Sequence, residues 1–139
     1  MAGRTFLDTN ILVYVFDGRD TEKRRKARET YSGLDPDEVV VSTQVLQEFY
    51  WNVTRKISPP LAQKVAAERV RDFSAHTVVV LDVAIILAAV ARSTADGVAF
   101  WDGLIVEAAL SAGCTRMLTE DLQHGRVFDG LRVENPFRR

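Results

Sequence analysis

The chain has a single cysteine, Cys114, among its 139 residues, so no disulfide can close within it and a cysteine-rich zinc site has no ligands. A lone thiol fits a reducing compartment. Charge of one sign is also lacking. A formal net charge of -1 excludes the wholly basic surface that usually marks a nucleic-acid-binding domain, so any such contact must be local. Long apolar runs are missing too: the longest, Thr77 to Ala91, is interrupted by Asp82 and falls short of the roughly 20 residues a membrane-spanning helix needs. The opening "MAGRTFLDTN" reaches an acid by position 8 without the uninterrupted apolar segment of a secretory signal. These absences lead to the expectation of a soluble, cytoplasmic protein with no membrane contact. Proline is sparse, at Pro36, Pro59, Pro60 and Pro136, and there is no repeat and no Gly/Ser linker, so the prolines mark connections rather than a domain boundary.

What is present is a core. At 47% apolar and 27% charged, the composition is that of an ordinary globular protein, and a chain of this length buries one core, so residues 1–139 are expected to form one domain. β-rich runs occur at 5–8 (TFLD), 38–42 (EVVVS), 76–81 (HTVVVL), 115–120 (TRMLTE) and, more weakly, 131–135 (LRVEN). Between them lie helical stretches at Arg19–Tyr31, Thr43–Lys56, Pro60–Phe73, Val83–Thr94 and Trp101–Ala112. Strands alternating with helices predict an α/β fold with a central, mainly parallel sheet flanked by α-helices. The unbroken "VVV" at 39–41 suits a strand covered on both faces. The stretch "VAIILAAVA" at 83–91, apolar all round, predicts a helix that is buried or docks on another subunit, with Asp82 as its N-cap.

Ligands of parallel α/β sheets bind outside the carboxyl ends of the strands, and the N-terminal turns of the connecting helices lie at that same edge. Asp8 ends the first apolar run in "FLDTN", and Glu120 and Asp121 follow "RMLT". Asp102 opens the helix "WDGLIVEAAL", and Glu48 sits in the second turn of "TQVLQEFYWNV". Asp8, Glu48, Asp102 and Asp121 can therefore converge. Two carboxylates about 4 Å apart repel by about 4 kcal/mol at an effective dielectric of ~20, so such a cluster needs protons or a cation. An all-oxygen donor set favours Mg²⁺ or Mn²⁺ over zinc, and a helix N-terminus behind Asp102 is expected to help keep it ionised. Each acid also has a plainer reading. Glu48 lies opposite an expected core stripe of Leu46, Phe49, Tyr50 and Val53 and is then simply solvated; Asp102 serves the helix dipole; Asp121 caps a turn before "LQHG". Asp8, between two apolar runs, has no evident solvated face.

Four blocks, "FLDTNILVY", "LQEFYWNV", "AFWDGLIVEAALSAGC" and "MLTEDLQHG", in this order and spacing, resemble the PIN-domain ribonucleases of the VapC toxin family over nearly the whole chain. The resemblance implies that Asp8, Glu48, Asp102 and Asp121 are catalytic and metal-binding acids, with Asn10 and Thr119 as polar supports. Glu120 points the other way if the strand persists, and His124 is better read as a surface or turn-stabilising residue than as a general acid. The resemblance further implies a PIN-like domain, homodimerisation, cytoplasmic residence, and a VapB-type antitoxin that inserts a C-terminal segment into the acidic groove. An arginine of that segment would bond the carboxylates through its forked donors.

The activity expected from the resemblance is Mg²⁺- or Mn²⁺-dependent endoribonucleolytic hydrolysis leaving a 5′-phosphate and a 3′-hydroxyl. Phosphate attraction must then come from the surroundings of the acids. The run "EKRRKAR" at 22–28 offers one cationic group, either a solvated helix face or an RNA or antitoxin contact. Trp51 and Arg55 fall on roughly the same helix face as Glu48, which makes Trp51 a candidate to stack an RNA base, or an anchor for a dimer or antitoxin. Two rivals stand beside this reading. A haloacid-dehalogenase-type phosphatase also starts from a strand-end aspartate, but its second acid would fall at Asn10. A non-catalytic RNA-binding or interaction module would keep the fold without turnover.

Overall fold

The computed structural model describes residues 3–138. Strand β1, Arg4–Leu7, runs into the core with Thr5, Phe6 and Leu7 all buried. It is followed by helix α1 (Thr9–Tyr14), α2 (Thr21–Ser32), β2 (Val39–Ser42), α3 (Thr43–Arg55), α4 (Gln63–Ser74), β3 (Thr77–Val79), α5 (Val83–Asp96), α6 (Phe100–Ser111), β4 (Cys114–Leu118), β5 (Val127–Phe128) and β6 (Leu131–Glu134). The sheet has the order β3-β2-β1-β4-β6-β5, with every neighbouring pair parallel except β5 and β6. This is the expected mainly parallel sheet flanked by helices. Among the described residues no single helix is long and apolar enough to cross a membrane.

The chain begins in the middle of the sheet, winds outward through β2 and β3, then returns to the other side of β1 through β4. That reversal opens a crevice at the carboxyl ends of β1 and β4, where a doubly wound sheet takes its ligands. Asp8 and Thr119 directly follow these two strands. The backbone N–H of Asp8 donates to the Leu118 carbonyl at 3.0 Å, which carries the parallel pairing up to the rim.

Several expectations are corrected. The six residues of 76–81 contribute a strand of only Thr77–Val79, and the apolar run after Asp8, which had no assigned element, is a short helix, α1. The two-residue β5 had no expected counterpart. On α3 the fully buried stripe is Val45, Phe49 and Val53; Leu46 is half-buried and Tyr50 is exposed. Phe49 meets Phe16 and Phe73 edge-on, with ring centroids 5.8 and 5.0 Å away, which fixes the rotation of α3 about its axis.

Helices α5 and α6 divide the apolar content between them unequally. Helix α6 buries Gly103, Leu104, Ile105, Val106, Ala108 and Ala109, whereas the only buried residue of α5 is Ala89. Asp82 caps α5 as expected, accepting from the Ile85 N–H at 2.9 Å. Val83, Ile86, Leu87 and Val90 remain exposed within this chain, so burial of the whole helix is overturned and the docking alternative stays open. The two helices touch where a Cβ on Gly103 would lie 3.1 Å from the Ala89 carbonyl oxygen. A side chain at 103 would force the two helices to give by a few tenths of an ångström beside Asp102.

Candidate active site

Asp8 occupies a double position. It ends β1 and caps α1, so one carboxylate oxygen accepts the Thr9 N–H at 2.7 Å while the other accepts the Thr119 hydroxyl at 2.7 Å. The Thr119 oxygen in turn accepts the Asp121 N–H at 3.1 Å, tying the end of β4 to the loop that carries the second acid. Asn10 spans the gap: its Nδ2 donates to Asp121 at 3.1 Å and lies 3.4 Å from both Asp8 Oδ2 and Thr119 Oγ1. Glu48 enters from α3, where its Oε1 accepts the Thr9 hydroxyl at 2.9 Å. Asp102 sits in the first turn of α6, half-buried, with no hydrogen-bond partner among the described residues.

These acids line one cleft of about 430 Å³ together with Thr9, Asn10, Val13, Tyr14, Asp17, Arg19, Gln44, Asn52, Trp101 and Ile105. The four acids named by the sequence are thus brought together, and the sheet's reversal point is where they meet. Electrostatics bears the marks of that crowding. Asp8 is 5% exposed, and burial, reinforced by the charges of Asp121 and Glu48, pushes its carboxyl up to about 7 despite the bonds from Thr119 and Thr9. Asp102 is also raised, first by burial and then by Asp121 and Glu48, so the expected help from its helix N-terminus is outweighed.

The donor set fits a hard divalent cation. The lining offers carboxylate, hydroxyl and amide oxygens and holds no thiol or imidazole, and the carbonyl oxygens of Asn10 and Gln44 are buried without a hydrogen-bond partner. Among the described residues no three acidic, imidazole or thiol groups stand close enough to enclose an ion by themselves. An ion held by one or two carboxylates that keeps several waters, as Mg²⁺ does, needs no tighter cage.

Other residues from the sequence reading fall outside this cleft's lining. Glu120 turns away from Asp121, accepting from the Tyr14 hydroxyl at 2.6 Å and pairing with Lys23 at 2.8 Å. His124 accepts the Asn135 N–H through Nδ1 at 3.0 Å, a turn-stabilising role. Trp51 is corrected: it faces a separate groove between α3 and α4, lined also by Leu46, Tyr50, Ala67 and Val70. The Arg55 guanidinium stands 3.9 Å from the centroid of the Trp51 ring, and neither residue lines the acidic cleft. The residues that sequence reasoning missed are Thr9, Gln44, Asn52, Arg19 and Trp101. The 3.6-residue period would have nominated Gln44 and Asn52, one turn either side of Glu48.

The profile of the PIN domain family matches residues 5–128. No curated protein sequence matches the chain. Among solved structures, a toxin-antitoxin complex from Klebsiella pneumoniae is 19% identical with a TM-score of 0.72, covering 97% of this chain and 99% of that one. VapC20 of Mycobacterium tuberculosis, a sarcin-ricin loop cleaving toxin, is 19% identical with a TM-score of 0.64, over 81% of this chain and 86% of its own. A DNA-bound VapBC from Salmonella typhimurium is 21% identical with a TM-score of 0.62, over 96% and 98%. At these identities the structures speak for the fold, while the family match spans most of the chain and includes Asp8, Glu48, Asp102 and Asp121. This chain belongs to the PIN-domain family.

Proposed function

We propose that the protein is a divalent-metal-dependent endoribonuclease and the toxin of a VapBC-type toxin-antitoxin pair. The observation that carries this reading is the convergence of Asp8, Glu48, Asp102 and Asp121 from four separate segments into one cleft at the reversal point of a PIN-family sheet. These four are the proposed catalytic and metal-site residues, with Asn10 and Thr119 as supports. The description of one neighbour as a sarcin-ricin loop cleaving toxin favours RNA as substrate, and the VapBC neighbours favour a VapB-type antitoxin as partner.

Thr119 and the Thr9 N–H hold Asp8 in one orientation, and the Thr9 hydroxyl does the same for Glu48. Asn10 keeps Asp8 and Asp121 on one side of the cleft, and Asp102 has both oxygens uncommitted. Because Asp8 resists ionisation when alone, cation binding and loss of its proton are coupled. When bound, Mg²⁺ or Mn²⁺ supplies Lewis-acid chemistry that makes water acidic enough to attack near neutral pH and offsets charge on the phosphoryl group. An antitoxin arginine bonded to the same carboxylates would compete with that ion. The reading includes a cytoplasmic homodimer, for which the exposed apolar face of α5 is the surface to bury.

The test uses purified protein and structured RNAs. Cleavage in Mg²⁺ or Mn²⁺, lost in EDTA and in a folded Asp8→Asn variant, is expected. A folded Asp8→Asn protein that cuts at the parental rate would sink the assignment. Release of phosphate from small esters without RNA cleavage would turn it toward a phosphatase, and binding without turnover toward an interaction module.

A further inference from the structure

The proposed substrate is a polyanion, yet the cleft floor is acidic, so something in its wall must offset repulsion. One cation stands among the residues lining the cleft, Arg19, in the loop between α1 and α2. Its guanidinium is clamped by Asp17, with Nε at 3.0 and 3.1 Å from the two carboxylate oxygens and Nη2 at 2.7 Å from one of them. Asp17 is 2% exposed, and the bonds from Arg19 hold its carboxyl below the usual carboxylate range. The clamp fixes the direction of the guanidinium, while the side chain stays 57% exposed and Nη1 has no partner among the described residues. Of the five cations of α2, Lys23 is engaged with Glu120 and Tyr14, Arg25 with Glu22 and Glu29, and Arg28 with the Val15 carbonyl, while Arg24 and Lys26 do not line the cleft.

The second observation is Trp101. It lines the cleft beside Asp102 and is 66% exposed, and among the described aromatic rings it meets only Phe100, edge-on at 5.2 Å. An exposed indole next to an acidic cleft is a platform for a base, and a base inside a duplex has both faces covered by its neighbours and cannot use it.

We propose that Arg19 and Trp101 are the substrate-binding residues of the cleft, an inference that rests on the nuclease reading. Arg19 takes a phosphate flanking the scissile bond through Nη1 and the free hydrogen of Nη2, a forked pair of donors. Trp101 stacks the base of an unpaired nucleotide on the side of α6. The preferred substrate at this step is therefore a loop or single strand.

Binding of a short unstructured oligoribonucleotide, followed by fluorescence anisotropy in an Asp8→Asn background across a salt series, tests both contacts without turnover. Replacing the clamp as a unit, Asp17→Asn with Arg19→Ala, avoids leaving Asp17 unpaired. It is expected to lower the slope of log affinity against log salt by about 0.7, the share of one single-strand phosphate. Arg19→Lys keeps the slope and loses part of the affinity. Trp101→Ala is expected to weaken binding by about 5- to 150-fold, the range for one stacked base, and Trp101→Phe to recover most of it. With Trp51→Phe as background, Trp101 is the only tryptophan, and its emission is quenched by the single strand and not by the same strand annealed to its complement. An unchanged salt slope removes the role of Arg19, and unquenched emission removes that of Trp101. A parent protein without RNA affinity overturns these contacts and the proposed function together. Binding with the expected slopes but no cleavage in any metal overturns the nuclease reading alone and supports the contacts.

Discussion

Helix α3 separates two unlike surfaces. One side presents Gln44, Glu48 and Asn52 to the acidic cleft; the other presents Leu46, Gln47, Tyr50 and Trp51 to an apolar groove shared with α4. Between the two runs the buried stripe of Val45, Phe49 and Val53. Residues 48, 51 and 52 show how narrow the division is. On a helix turning about 100° per residue, Trp51 lies about 60° to one side of Glu48 and Asn52 about 40° to the other. That difference sends a polar side chain to the acidic cleft and an aromatic one to a different surface. A non-core helix face is therefore not one surface, and proximity in a helical wheel does not assign two residues to the same site.

The sharpest way to break this division is at the floor of the cleft. Asp8→Asn should lower RNA cleavage by about 10³-fold or more, because several kcal/mol of charge stabilisation depends on that carboxylate; steady-state rates in Mg²⁺ measure it. Thr119→Val removes the hydroxyl that orients Asp8 without touching substrate, and a loss of about 10- to 100-fold in metal affinity or rate is expected, as for other partners of metal-site residues. Metal titrations would read it, and an unaltered titration would mean that Thr9 and Asn10 suffice to hold Asp8.

The next effect is on stability. Asp8 holds its proton up to about 7 in the folded protein and only to near 3.8 when unfolded, so between those values the folded state carries the extra proton. Stability of the metal-free protein then falls as pH rises through this window, and the penalty is complete above it. Melting at pH 5.5 should occur at least about 5 °C higher than at pH 8. Asp8→Asn should flatten that dependence, and Mg²⁺ should raise the melting temperature more at pH 8, where the carboxylate is free to bind it. A pH-independent melt would show that Asp8 is not the strained group. The smallest effect belongs to the other face of α3. Trp51→Ala should change cleavage by less than about twofold, against the roughly fivefold or more that losing a stacked base costs.

The alternation of strands and helices was legible because β1, β2 and β4 are short, bounded apolar runs and the helices are long. Asp8 was legible because it stands at a strand end between two apolar runs, and Asp102 and Asp121 because each lies at an element end on the ligand-binding edge; Glu48, in the body of α3, was legible from the family resemblance. Helix α1 was not, since six residues are too few for a 3.6-residue period to separate from a continuing strand, and its signal is the cap supplied by Asp8 itself. Nor was the exposure of α5. Its composition resembles that of α6, and only the sheet's geometry decides that α6 lies against the core while α5 lies outside it. Trp101 and Arg19 were overlooked for a related reason: nothing local distinguishes an aromatic or basic residue on a cleft wall from one in open solvent.

The bond from Thr119 to Asp8 joins residues 111 positions apart, across the parallel pairing of β1 with β4. During synthesis Asp8 emerges early, and its partner emerges only when most of the chain has been made. A ribosome-bound chain that stops short of Thr119 has Asp8, Glu48 and Asp102 but neither the hydroxyl that orients the first nor Asp121. Such an intermediate lacks a finished cleft. The order of synthesis thus leaves the cleft unfinished until β4 has paired with β1.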